Sequence, residues 1–137
     1  DLSGRQMTLN LEVLPGNYVI CRFEPGTSVP EWARGELVSV TRTPDELSIV
    51  CRDEEVPADV QCEPGWRCLR IAGTLDFSLV GVIARITTVL AETGVSVLAI
   101  STFDTDYFLV RDMERGAKAL LEAGFLVSNP GESRPAT

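Results

Sequence analysis

The chain has 137 residues, 45% of them hydrophobic, which is enough to bury a core as one domain or as two small ones. Its net charge of −8 and scattered Lys and Arg exclude a basic nucleic-acid stripe and make an anionic membrane surface an unfavourable partner. With no histidine anywhere, Ser–His and Cys–His nucleophile pairs and the usual near-neutral proton shuttle are excluded as well.

The opening residues, DLSGRQMTLNLEV, lack the charged-then-apolar layout of a signal peptide. No apolar run approaches the roughly 20 residues that span a bilayer. Cys21, Cys51, Cys62 and Cys68 show no CxxC spacing, and three of them lie in strand-like apolar runs. They read as reduced, structural thiols of a cytoplasmic protein, with no metal and no cofactor called for.

Within the first half, YVICRFEPGTSVPEWARG reads as a strand followed by one short helical turn at Pro30–Arg34. A second strand pair follows in VSVTRTPDELSIVCRD (38–53), and EEVPADV allows about two turns at most, with Pro57 near its start. Shifting by 60 residues lays 38–53 beside LAISTFDTDYFLVRDM (98–113), so that Val40 meets Ile100, Glu46 meets Asp106 and Val50 meets Val110. Both read strand, polar turn, strand, which suggests a tandem duplication with its boundary near Gln61–Gly65. The acidic stretch Asp53-Glu54-Glu55 reads as a solvated face, and Trp32 and Trp66 as packing residues.

The second half opens with a strand over Trp66–Leu75. Ser78 is the expected N-cap of a helix whose Leu79, Val82, Ile83, Ile86, Val89 and Leu90 fall at helical spacing, with Gly94 as its stop. Strands over Val95–Thr102 and Tyr107–Arg111 are joined by the turn Phe103–Asp106. Asp112 then caps a helix with core residues Met113, Ala117, Leu120 and Leu121, ending at Gly124. Phe125–Ser128 is a short last strand, and Asn129–Thr137 a flexible tail. The order β-α-β-β-α-β predicts an α+β fold. It has two tandem ferredoxin-like units, 1–62 (degenerate) and 63–128, each an antiparallel sheet with helices on one face. In VSVLAIS and YFLV both faces carry bulky apolar residues, so the second face also needs cover, from the first repeat or another protomer.

The run LDFSLVGVIARITTVLAETGVSVLAISTFDTDYFLV resembles the ACT-domain family, most specifically in Asp76-Phe77-Ser78-Leu79-Val80-Gly81, Gly94-Val95-Ser96 and Ile100-Ser101-Thr102-Phe103-Asp104-Thr105-Asp106-Tyr107. The likeness is to small bacterial tandem ACT proteins and to the C-terminal domains of cytosolic arginine sensors of animals. It covers 66–128 well and 8–62 weakly, since the first copy lacks a recognisable Gly-containing loop. It implies a non-enzymatic regulatory module that binds a small ligand, usually an amino acid, at an interface between two such domains. Paired domains of this family commonly lie side by side in one eight-stranded sheet.

For a zwitterion, the residues divide by charge. Main-chain N–H groups of Phe77, Ser78, Leu79, Val80 and Gly81 suit an α-carboxylate, because a helix start offers unpaired donors. Asp76, Asp104 and Asp106 suit an ammonium or a guanidinium. Ile100, Ser101, Thr102 and Thr105 complete the candidate pocket with strand-end carbonyls and hydroxyls. Arg42, by the equivalent turn of the first half, is a weaker candidate for balancing an anion. The plain alternatives are that Ser78 only caps its helix, that Gly81 only relieves crowding, and that the Asp residues only form turns. A ligand-free interaction module, in which the same sheet pairs with another protein, is the rival reading. A carboxylate-based enzyme is the more remote one.

Overall fold

Alternation of apolar residues sets the faces of every strand, and prolines decide where helices cannot form. The computed structural model describes residues 9–72 and 81–129. The chain divides into two compact units.

One unit is Gly16–Trp66. Strands β2 (Tyr18–Phe23), β3 (Ser39–Arg42), β4 (Leu47–Arg52) and the first residues of β5 (Cys62–Ile71) pair in the order β3-β4-β2-β5, all antiparallel. β4 thus enters between β2 and β3, the split arrangement of a ferredoxin-like unit. Where helices would cross over, the chain makes isolated turns instead. Ala33 N–H donates to Pro30 O (3.2 Å), Val56 to Asp53 O (3.4 Å) and Val60 to Pro57 O (3.2 Å). Pro25, Pro30 and Pro57 remove donors and restrict the residue before each, so neither crossover can wind further. Val19, Cys21, Leu47, Ile49 and Cys51 form the core, closed by Phe23, Trp32, Val56 and Val60.

The hairpins β3–β4 and β6–β7 correct the repeat read from the sequence by one residue. Arg42 pairs with Leu47, and Ser101 with Asp106, so the equivalent pairs lie 59 apart (101 − 42 and 106 − 47) rather than 60. A slip of one residue exchanges the two faces of a strand, so Val40 corresponds to Ala99 and not to Ile100.

The other unit has its described residues at 9–15, 67–72 and 81–129. It contains β1 (Asn10–Val13), the remainder of β5, α1 (Val82–Glu92), β6 (Val97–Ser101), β7 (Asp106–Val110), α2 (Met113–Glu122) and β8 (Leu126–Ser128). The order is β6-β7-β5-β1-β8. A bare βαββαβ unit would set β8 against β5; here β1 lies between them, antiparallel to β5 and parallel to β8. The division 1–62 and 63–128 therefore differs from the compact units, and the sheet is not wholly antiparallel. Sequence reading assigns no element to Asn10–Val13, a half-buried strand with nothing local to say which sheet it joins.

One face of this sheet carries Leu11, Val13, Leu69, Ile71, Phe108 and Val110, all buried with Ile86, Leu90 and Leu120 of the helices. α2 approaches α1 and β7 closely at Gly116, where an added Cβ would stand 3.1 Å from Leu90 Cδ2 and 3.2 Å from Val110 Cγ1. Both helices end as expected, before Gly94 and Gly124, and Asp112 accepts from Arg115 N–H at 3.2 Å. Leu121, expected in the core face, is instead 51% exposed. On the opposite sheet face, Cys68 and Leu109 are fully buried while Leu98, on edge strand β6, is exposed.

Burial, first, and Cys51 beside it push the Cys21 thiol from 9.0 up to about 12. Between those values the native chain keeps a proton that the unfolded chain has released, so rising pH costs native stability. Urea melts should show wild type losing stability relative to Cys21→Val across this window. A pH-independent difference would contradict the assignment.

Candidate functional site

α1 begins where β5 leaves the sheet, and β6 and β7 meet at that same end, because Arg70 pairs with Tyr107 and Ser101 with Asp106. The expected N-cap, Ser78, lies outside the described residues, as do Asp76, Phe77, Leu79 and Val80. The observed N-cap is Gly81. Its φ of 84° is left-handed, which glycine adopts without steric cost. Gly81 is exposed and an added Cβ there meets nothing within 4 Å. Among the described residues the helix has no side-chain cap, and its first turn holds no acid.

The turn between β6 and β7 is fastened by threonine rather than aspartate. Thr102 N–H and Oγ1–H both donate to Thr105 O (2.9 and 3.0 Å), and Thr102 Oγ1 accepts from Thr105 N–H at 3.2 Å. Thr105 is buried, and its hydroxyl donates to Ile71 O at 3.0 Å, tying the turn to the end of β5. Asp104, expected as a turn former, is exposed at the tip.

Asp106 is only 8% exposed, and its Oδ1 accepts from Ser101 Oγ–H at 2.7 Å. By alternation from Val110 and Phe108, Asp106 and Ser101 lie on the helix-bearing face, at the end where α1 starts. The structure thus brings together Ser101, Thr102, Thr105 and Asp106 at one end of one sheet. Ile100 is half-buried on the opposite face and does not join them. Arg42, read as a possible anion partner, donates through Nη1 to Pro25 O at 2.6 Å and serves its own loop. Asp53, Glu54 and Glu55 are exposed, as expected, with Glu54 2.8 Å from Arg52. Trp32 packs against Phe23, ring centroids 6.0 Å apart, and Trp66 is buried.

Sequence reading missed the partners that hold this end of the sheet. Arg70 Nε donates to Glu12 Oε1 at 3.1 Å across the β1–β5 ladder, and hydrogen bonding to Glu12 holds the guanidinium above its ordinary pKa. The only signal was an acid and a base at alternating positions of two strands whose pairing the sequence did not reveal. Among the described residues no His/Cys/Asp/Glu group could hold a metal ion, and no helix is long and apolar enough to cross a membrane.

A family model for the ACT domain matches residues 61–121, and a second, described only as an N-terminal domain, matches 16–59. Among solved structures, a protein from Agobacterium tumefaciens is 38% identical with a TM-score of 0.84, covering 90% of this chain and 95% of its own. A protein of unknown function from Vibrio cholerae is 24% identical, with a TM-score of 0.69 and coverage of 84% and 89%. The aspartate kinase of Clostridium acetobutylicum, an allosteric enzyme, shares the fold at 15% identity and a TM-score of 0.60. There the match spans 83% of this chain but 34% of the kinase. A search of curated proteins finds no significant match. Fold and these matches agree: the chain belongs to the ACT-domain proteins, and it shares a family with the Agobacterium protein.

Replacing Thr105 by Val keeps its shape but leaves Ile71 O without its donor. Urea denaturation should show a loss of about 1–3 kcal/mol, the cost of a buried group left unsatisfied. An unchanged midpoint would show that this bond does not hold the turn.

Proposed function

We propose that the chain is a non-catalytic regulatory module whose C-terminal unit binds an amino acid or a similar small zwitterion. Residues 76–81 at the start of α1 take its carboxylate, and the turn 101–106 takes its ammonium, with a second copy of the chain as the expected partner. The observation that carries this reading is the buried carboxylate of Asp106, held by Ser101 at the end of the sheet. α1 opens at an exposed glycine, with no side-chain cap among the described residues. Unpaired N–H groups at a helix start favour an anion, and a carboxylate in a poorly solvated position favours a cation. Of the acids expected to contribute, Asp106 is the better placed, because Asp104 is exposed.

The rival reading, a ligand-free interaction module, also has a specific observation behind it. β6 is an edge strand, and exposed Leu98 and Ala99 stand on it with Phe103, 81% exposed, just beyond. An apolar edge can recruit another strand without any ligand.

Thermal unfolding in the presence of each of the twenty amino acids separates the two. A ligand at 100 times its dissociation constant should stabilise the chain by about 2.7 kcal/mol. Asp106→Asn should remove that shift while the unliganded chain still unfolds cooperatively. A full set of unshifted transitions would favour the interaction module.

A further inference from the structure

At the opposite end of the same sheet a groove of about 450 Å³ runs between α2 and the strands. Its apolar lining comes from Val13, Met113, Ala117, Leu121 and Val127. Met113, Ala117 and Leu121 are four residues apart and form one stripe down α2. The stripe is left partly to water, with Leu121 51% exposed. That volume lies in the range of small-molecule sites.

Arg67 gives the groove its chemistry. Along β5 the core-facing positions are Ile71, Leu69 and then Arg67, so a cation stands in a row that is otherwise buried and apolar. Arg67 pairs with Val110 and lines the groove. Its Nε is sealed from solvent and has no hydrogen-bond partner among the described residues. A buried donor without an acceptor is costly, and more so on a charged group. Ser128 and Asn129 add neutral polar groups, and Glu114 is exposed at the rim. The net charge of −8 repels anions in general, so one admitted here needs a specific partner.

We infer that this groove, lined by Arg67 and the α2 stripe, is a second ligand site that takes a small amphipathic carboxylate. The guanidinium receives the carboxylate in a two-pronged hydrogen bond and the apolar tail lies along Met113, Ala117 and Leu121. The site is separate from the zwitterion site at the start of α1 and does not need an ammonium on its ligand.

Amide chemical shifts of the full chain, titrated with hexanoate and separately with hexan-1-ol, test this. Hexanoate should move Arg67, Met113, Ala117, Leu121 and Val127 and leave Gly81 and 101–106 in place. It should bind about tenfold or more tightly than the alcohol, the worth of a charge-assisted pair. Arg67→Met, which keeps length and apolar bulk, should equalise the two. Equal binding by wild type, shifts centred on 101–106, or no shifts with hexanoate would each overturn the assignment. The wild-type comparison decides the matter even where the variant fails to fold.

Discussion

The C-terminal unit depends on a strand that the chain delivers from before the other unit. β1 enters between β5 and β8, setting Leu11 opposite Ile71 and Val13 opposite Leu69. Leu11 is fully buried and Val13 nearly so, in the same core as both helices. Without β1, β5 loses a full ladder on one side and β8 loses the strand to which it is bonded. Backbone groups so exposed have no partner within the sheet. Glu12 then adds an ion pair to Arg70 on the opposite face, with both side chains largely buried. Both candidate sites lean on this ladder, because β5 supplies Arg67 to one and the Ile71 carbonyl that anchors the turn of the other.

Those sites lie at the two ends of one sheet. At the Ile71 end, β5 releases the chain towards α1, and Thr105 ties the β6–β7 turn to the same carbonyl that closes the strand. At the Arg67 end, β7 passes into α2 and β8 runs out beside Val13, leaving the groove with its single embedded guanidinium. The physical demands differ. The first end offers helix donors and a buried acid; the second offers a cation above an apolar trough.

Much of this was legible in the residues. The helices declared themselves through 3.6-residue spacing and through glycines that end them, and the alternating strands of the second half fell within a few residues of where they occur. The degenerate first unit was also readable, because its prolines forbid both crossover helices. Three things were not. Strand β1 has the pattern of any half-buried strand, and nothing local distinguishes the sheet it joins. The internal echo matched chemistry at an offset of 60 while hairpin geometry follows 59, since a polar turn of equal length leaves the register open by one. The roles within the turn were also hidden. Asp104 and Asp106 look alike in sequence, but Asp104 stands in the exposed turn while Asp106 opens β7 on the helix-bearing face, and threonines fasten the turn.

The most direct test of the central claim is equilibrium unfolding, followed by amide exchange at Arg70, Ala72 and Leu126, in a chain lacking residues 1–15. The account predicts that the C-terminal unit loses its cooperative transition and that these amides exchange freely, although the family match over 61–121 remains intact. A cooperative transition of wild-type stability, with slow exchange retained at those three positions, would contradict it.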